Sequence, residues 1–247
     1  MVFVMLPAYN EEGKIGELLS HIAETMDGAG LKYRVIVVND GSTDGTVAVV
    51  KRFALSHPVT LIDHGVNRGV HEAFRSGFNA VYGLAAPDDV VFTMDADGTH
   101  DVGRTQEMMA KLDEGYDIVI ASRFRAGSKI YGVPLYRNFL SFAARYVVPF
   151  IFGEREAMDF TIFHRGYRAR TLKGVMDHYG ERFIESVGFT ANTEVLVKAR
   201  AYYKDRLRIA EVPCELHYER KAGPSKMKVL HNIKEYFSFI LRMKLAR

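Results

Sequence analysis

Two carboxylates stand one residue apart in Asp95-Ala96-Asp97, directly after the run Val-Val-Phe-Thr-Met. At the end of a buried strand such a pair can sit on one side of a loop. Hard oxygen ligands of this kind suit Mg²⁺ or Mn²⁺, ions that also take substrate phosphates as ligands. The chemistry would be Lewis-acid neutralisation of charge on a departing diphosphate. An isolated Asp-x-Asp also serves surface turns; the buried strand before it favours the metal. A second polar cluster, Asp40-Gly-Ser-Thr-Asp44, comes after a β-branched run. Asp40 leaves that run where a ribose or base could meet its carboxylate. Gly41 would let a ligand approach the backbone, and Thr43 or Asp44 can cap the next helix.

The elements that must carry these clusters alternate. Strands are read at Val2 to Leu6, Tyr33 to Val38, Val59 to Asp63, Val90 to Met94 and Tyr116 to Ala121, the β-branched ones as central parallel strands. Helices fall between them. Glu12 to Met26 has Ile15, Leu18, Leu19, Ile22 and Met26 at helical spacing. The others are Thr46 to Ser56, a segment from the Asn67-Arg68-Gly69 turn to about Gly83, and Arg104 to Leu112. This alternation predicts an α/β fold: an open, mostly parallel sheet with helices on both faces. Ligands bind such sheets beyond the carboxyl ends of the strands. The polar clusters stand there, at Pro7 to Glu11, Asn39 to Asp44, Asp95 to Asp97 and Ser122-Arg123. After Arg123 the pattern changes. Leu135 to Phe152 reads as an amphipathic helix bent near Pro149, and Ile209 to Val212 as a late strand. Lys226 to Arg247 reads as a basic helix with Val229, Leu230, Ile233, Phe237, Ile240 and Leu241 on one side.

The 247 residues are 48% hydrophobic, enough for a sizeable core. The single Cys214 excludes an internal disulfide and has neighbours that suit a structural thiol. Met1 to Leu6 is too short for a signal peptide, and no apolar run reaches the roughly 20 residues a spanning helix needs. The expectation is a chain that is not integral to a membrane. The net charge of +3 is unevenly spread: Arg123 to Arg170 holds nine Arg/Lys against three Asp/Glu, and Glu219 to Arg247 eight against two. Such segregation points to anionic partners, or to solvated basic faces. No Gly-x-Gly-x-x-Gly comes after the first strand, which excludes a Rossmann dehydrogenase.

Together the clusters resemble family 2 glycosyltransferases, and within them the polyprenyl-phosphate branch. The resemblance runs through Pro7-x-Tyr9-Asn10-Glu11, Val38-x-Asp40-Gly41-Ser42-x-Asp44-Gly45-Thr46 and Asn67-x-Gly69 with Ala73 and Gly77. It continues in Asp95-Ala96-Asp97, Ser122-Arg123, Asp159-x-Thr161, Glu211-Val212-Pro213 and Arg220-x-x-Gly223-x-Ser225-Lys226. It implies a GT-A fold over 1–224, with 1–122 as the nucleotide-sugar half, 123–224 as the acceptor half and 225–247 as a basic amphipathic helix. It implies that Pro7, Tyr9 and Glu11 hold base and ribose with Val38 and Asp40. Asp95 and Asp97 would then hold the metal, Mg²⁺ or Mn²⁺, and the diphosphate, with Ala96 also contacting the nucleotide sugar. Arg123, Arg220 and Lys226 would contact phosphates, and Arg137 with Ser141 would receive the acceptor phosphate. Arginine's planar donor fork suits phosphate, and positions 137 and 141 share a helix face. Two departures stand out. Thr99 occupies a position where Gln or Ser is usual, with His100 next to it, and Phe163-His164-Arg165 replaces Gly-Phe-Arg.

The activity so implied is inverting transfer of a hexose, mannose or glucose, from GDP-mannose or a UDP-hexose to a dolichyl or undecaprenyl phosphate. An acceptor phosphate is already ionised and needs no base; a sugar hydroxyl would need one, and Asp159 and Glu194 are the candidates. Two other readings remain: a soluble glycosyltransferase with a carbohydrate or small-molecule acceptor, and a non-catalytic nucleotide-sugar-binding subunit. The basic amphipathic segments predict a cytoplasmic protein peripheral on an anionic membrane surface. A membrane-anchoring protein is a further candidate partner; nucleic acid is not expected.

Overall fold

A computed structural model of the chain describes residues 1–153, 156–220 and 229–245, with the side chains of 135–140, 229–233 and 245 outside that set. Strands β1 (Val2–Ala8) and β2 (Tyr33–Asn39) are apolar almost throughout because both faces of the sheet are covered. Helices α1 (Glu12–Gly28) and α2 (Thr46–Phe53) link β1 to β2 and β2 to β3 (Val59–Asp63). Then come α3 (Val70–Leu84), β4 (Val90–Thr93), α4 (Arg104–Asp113) and β5 (Ile118–Ser122). The second half supplies β6 (Lys129–Tyr131), α5 (Leu135–Phe152), β7 (Arg165–Arg168), α6 (Ala169–Tyr179), α7 (Thr190–Tyr203), β8 (Ile209–Pro213), β9 (Glu215–His217) and α8 (Val229–Leu245).

The main sheet has the order β3-β2-β1-β4-β7-β5-β8, with β7 antiparallel to both neighbours and the other pairs parallel. The carboxyl ends of β1, β2, β4, β5 and β8 therefore share one rim. Because β7 runs the other way, its beginning lies at that rim too. This brings the segment just before it, Asp159 to His164, to the same place. Glycine permits the closest layer contacts. A Cβ on Gly77 of α3 would fall 2.3 Å from Met5 Sδ and 3.3 Å from Val38 Cγ2, so α3 sits against β1 and β2. Successive side chains of β7 point to opposite faces. Tyr167 meets Phe78 of α3 edge to face, and a Cβ on Gly166 would crowd Phe92 and Leu112 of α4. Helices α3 and α4 thus cover opposite faces.

The expected α/β architecture is the one observed, with local differences. Helix α2 stops at Phe53 rather than Ser56, and β5 begins at Ile118 rather than Tyr116, because Asp117 turns its carboxylate to the Arg208 amide. Strand β7 was not expected. Arg-Gly-Tyr-Arg carries no β-branched residue, and it forms a strand because Arg165 is fully buried, donating to the Asn192 and Phe160 carbonyls at 2.7 Å each. Helix α5 continues through Pro149 to Phe152. Helix α8 packs on the core through residues outside the apolar side read in the sequence. Phe239 and Met243 are buried and Tyr236 bonds Thr193 at 2.7 Å, whereas Phe237 and Leu241 are exposed.

Candidate functional site

The first two rim loops are knitted together by reciprocal hydrogen bonds. The Asn10 amide donates to Ser42 Oγ at 2.9 Å, and the Thr43 amide to Asn10 Oδ1 at 2.8 Å. The Gly45 amide donates to Glu12 at 2.9 Å and the Glu11 amide to Thr46 Oγ1 at 2.8 Å. Asp44 accepts from the Thr46 amide and hydroxyl and from the Glu12 amide. Burial would raise the Asp44 carboxyl, but these donors outweigh it and hold it below its usual value. The N-cap of α2 is Gly45, so neither Thr43 nor Asp44 caps the helix as the sequence suggested; Asp44 braces its start from the residue before. Pro7 and Tyr9 are half-buried and Glu11 is buried at the same rim. Val38 is fully buried, with its side chain toward α3, so it can offer a ligand only backbone.

Asp40 is 3% exposed and accepts from the Arg68 amide and His64 Nδ1 on one oxygen and from the Gly69 amide on the other, all within 3.0 Å. It clamps the β3–α3 loop to the end of β2. Gly41, with φ +70°, serves the same contact. A Cβ there would fall 2.2 Å from the Val66 carbonyl carbon, so the approach it permits is that of Val66-Asn67, not of a ligand.

The acidic pair leaves β4 at the centre of the rim. Asp95 is about one-third exposed and meets His100 Nε2 at 3.1 Å. Asp97 is buried; its Oδ1 accepts from Thr99 Oγ1 at 2.6 Å and from the Thr99 amide at 3.2 Å. Ala96 between them is buried. The donor set fits a divalent cation bound together with a substrate. It offers two hard carboxylates, and among the described residues no third His, Cys or acidic side chain completes a cage. Mg²⁺ and Mn²⁺ are commonly held in this way by one or two carboxylates, with phosphate oxygens and water completing the shell. Arg220 is exposed and lines a cleft of about 290 Å³ with Lys14, Gly98 and His100, on the side of the loop just past Asp97. Lys14, not singled out in the sequence, meets Glu17 at 3.5 Å, and Glu17, Glu24 and Asp101 line the same cleft. Lys226 lies outside the described residues.

Arg123, at the end of β5, is half-buried, and its counterion Asp159 is fully buried. Nε and one terminal nitrogen grip Asp159 at 2.8 and 2.6 Å, and the latter also reaches Thr161 Oγ1 at 2.5 Å. The other terminal nitrogen donates to Ser141 Oγ at 2.8 Å. Arg123 and Ser141 share a cavity of about 560 Å³ with Phe124, Ile130, Gly132, Val133 and Phe142. Arg137 stands four residues before Ser141 on α5, with its side chain outside the described set. Both candidate bases are occupied elsewhere. Asp159 is fully buried in its ion pair and accepts the Arg123 amide as well. Glu194 is fully buried too, paired with Lys198 at 2.6 Å and accepting the amides of Glu185 and Ser186. Glu211 was read only as part of a motif. It accepts the Met158 and Asp159 amides at 2.7 and 2.9 Å and so holds the turn that presents Asp159.

The family profile described as "Glycosyl transferase family 2" matches residues 3–179. The chain belongs to glycosyl transferase family 2. It is 30% identical over 246 residues to the dolichol-phosphate mannosyltransferase of Pyrococcus furiosus, covering 98% of this chain and 63% of that one. The chain thus spans somewhat under two thirds of that relative's length. It is also 30% identical over 226 residues to the polyprenol monophosphomannose synthase of Mycolicibacterium smegmatis, covering 91% of this chain and 80% of that one. In fold it resembles glucosyl-3-phosphoglycerate synthase from Mycobacterium tuberculosis, solved with Mn²⁺, uridine diphosphate and phosphoglyceric acid. The TM-score is 0.67 at 16% identity, with 97% of this chain and 78% of that one covered. The fold is GT-A. In this family 2 chain the rim therefore has two parts. The β1, β2 and β4 loops form one, with the acidic pair on the β4 loop, and a separate cavity is built on Arg123 and Ser141. Strand β9 lies between them, paired with β6 on one edge and bonded through His217 to the Thr99 carbonyl on the other.

Proposed function

We propose that the chain transfers a hexose, mannose or glucose, from a nucleotide diphosphate sugar to a polyprenyl phosphate with inversion at the anomeric carbon. The observation that carries this reading is the Arg123 cavity. It holds a half-buried cation and a hydroxyl, and among the described residues that line it none is acidic or a histidine. An acceptor hydroxyl would need a base there; a phosphate, already ionised, needs only a cation and orientation. The pairing of Asp159 and Glu194 with basic partners supports the same choice. The relatives named as polyprenyl-phosphate transferases agree with it.

Asp95 and Asp97 would hold Mg²⁺ or Mn²⁺, which neutralises charge on the departing diphosphate. Pro7, Tyr9 and Glu11 form the wall for base and ribose, braced by Val38 and Asp40. Arg220 would contact the diphosphate, and Lys226, outside the described residues, is assigned the same role. Arg123 and Ser141, with Arg137, orient the acceptor phosphate. The apolar lining of Ile130, Val133 and Phe142 suits the first isoprene units. Among the described residues no helix is long and apolar enough to cross a membrane. The chain would reach its lipid from the cytoplasmic surface through exposed apolar residues of α5 and α8.

The test offers labelled GDP-mannose, UDP-glucose and UDP-N-acetylglucosamine with dolichyl or undecaprenyl phosphate and Mg²⁺ or Mn²⁺. Label should pass into the organic phase, and be lost with EDTA and in Asp97→Ala. Label that stays in aqueous products, or moves equally without metal, would overturn the proposal.

A further inference from the structure

We infer that Thr99 and His100 are positioning residues of the metal loop: each holds one carboxylate, Thr99 that of Asp97 and His100 that of Asp95, so that the pair is ordered before a divalent cation arrives. The inference rests on the reading of Asp95 and Asp97 as metal ligands, and adds how the chain prepares them.

The loop folds back on itself at Gly98, whose φ of +71° a residue with a side chain rarely adopts. The fold-back brings the next two residues against the two aspartates in order. Thr99 places its hydroxyl and its own amide on the same oxygen of Asp97. A carboxylate only accepts, so His100 carries a hydrogen on the Nε2 that faces Asp95. Thr99 and His100 are 3% and 6% exposed, so water does not replace either contact readily.

The backbone of both residues is pinned from the opposite side. The His217 amide donates to the Thr99 carbonyl at 2.8 Å, His100 bridges to Leu216, and the Asp101 amide reaches the Glu215 carbonyl at 3.3 Å. Behind His100 stands His164, 5.3 Å away ring to ring and fully buried. His100 is thus wedged between a buried ring and Asp95. Thr99 stands where the family's usual side chain is Gln or Ser. Here its hydroxyl is spent on Asp97, which makes it a brace and not a ligand. Partners that orient metal-bound carboxylates typically contribute 10- to 100-fold to metal affinity.

The experiment titrates Mn²⁺, alone and with UDP, and tracks the free-ion electron paramagnetic resonance signal. Thr99→Val and His100→Phe should each weaken Mn²⁺ binding about tenfold or more. Thr99→Ser and His100→Gln, which keep a donor, should recover most of the affinity. Thermal melts should stay near wild type, since β9 holds this loop through the backbone. Wild-type binding in both Val and Phe variants, with Asp97→Ala abolishing it, would overturn the positioning role alone. Wild-type binding in Asp95→Ala and Asp97→Ala would remove the metal reading itself, and this inference with it. A variant-free check is the electron spin echo of bound Mn²⁺. It should show no directly coordinated imidazole nitrogen; a coordinated one would make His100 a ligand.

Discussion

Arg123 grips Asp159 through two nitrogens, at 2.8 and 2.6 Å, with the carboxylate wholly removed from solvent. Burial alone would raise the Asp159 carboxyl, but the guanidinium charge and its hydrogen bonds outweigh this and hold it below its usual value. Removing one partner of a buried pair costs about 3–5 kcal/mol. Asp159→Ala should therefore destabilise the fold by that amount, read from urea unfolding, and release Arg123 from the cavity wall. The depressed value also sets a pH window. The pair stabilises the fold fully above the unfolded carboxylate value, about 3.9, and the stability is lost as pH falls through the folded value. Of the fall in urea midpoints between pH 7 and 3, the part due to this pair should appear only in the acid limb, and Asp159→Asn should flatten that limb.

Glu194 bonds Lys198 and two backbone amides in a site closed to solvent, so its role is to hold residues 182–186 against α7. Glu194→Gln keeps an acceptor for those amides and leaves Lys198 with Glu185 at 2.9 Å. The variant should lose about 1–3 kcal/mol, as a charged buried hydrogen bond does. Its turnover per folded molecule, and its pH profile, should match wild type. A kcat reduced 100-fold or more in folded protein would restore Glu194 as a base and contradict the phosphate-acceptor reading.

His164 lies behind the acidic pair with its Nε2 unmatched by any hydrogen-bond partner among the described residues. Burial first, and His100 second, hold its imidazole well below the usual histidine range, so it is neutral when folded. The unfolded chain binds a proton at about 6.5. Stability is therefore complete above that value and declines as pH falls below it, because the unfolded state then takes up the proton. His164→Gln should remove this part of the decline between about pH 6.5 and 5, read from melting temperatures across the range.

The first five strands and their helices were legible because their apolar periodicity matches the sheet they enter, and because polar residues mark where each strand ends. The acidic pair was legible for the same reason. The chain beyond Arg123 was harder to read. Strand β7 is written Arg-Gly-Tyr-Arg, and its burial depends on carbonyls of residues 160 and 192, the second of them remote in sequence. The partnership of Arg123 with Asp159 was hidden likewise, since it exists only because an antiparallel strand returns residue 159 to the rim. Asp40 and Gly41 were read as ligand contacts, yet they clamp residues 64–69, because a sequence does not show which loop fills the space beside a glycine. Cys214 was legible as structural. Burial pushes its thiol up to about 12, with Asp159 adding to the effect, and iodoacetamide at about pH 8 should leave the native protein unlabelled.

The exposed residues of α5 give the last prediction. Phe142, Tyr146 and Phe150 recur every four residues on one face, and Phe150 is 91% exposed. Phe142 also lines the Arg123 cavity, so the apolar stripe begins where the acceptor would sit. On α8, Phe237 and Leu241 are exposed beside Lys234 and Lys244. Burying one phenylalanine side chain yields about 1.5–3 kcal/mol, so each aromatic that enters a bilayer surface strengthens partitioning by roughly tenfold or more. Phe150→Ser should weaken flotation with phosphatidylglycerol vesicles by about that factor, and Phe142→Ser with Phe150→Ser should nearly abolish it. Raising salt should weaken wild-type binding further, since the basic residues act through charges that salt screens. Wild-type flotation in the double variant would take α5 out of the membrane contact and leave α8 to account for it.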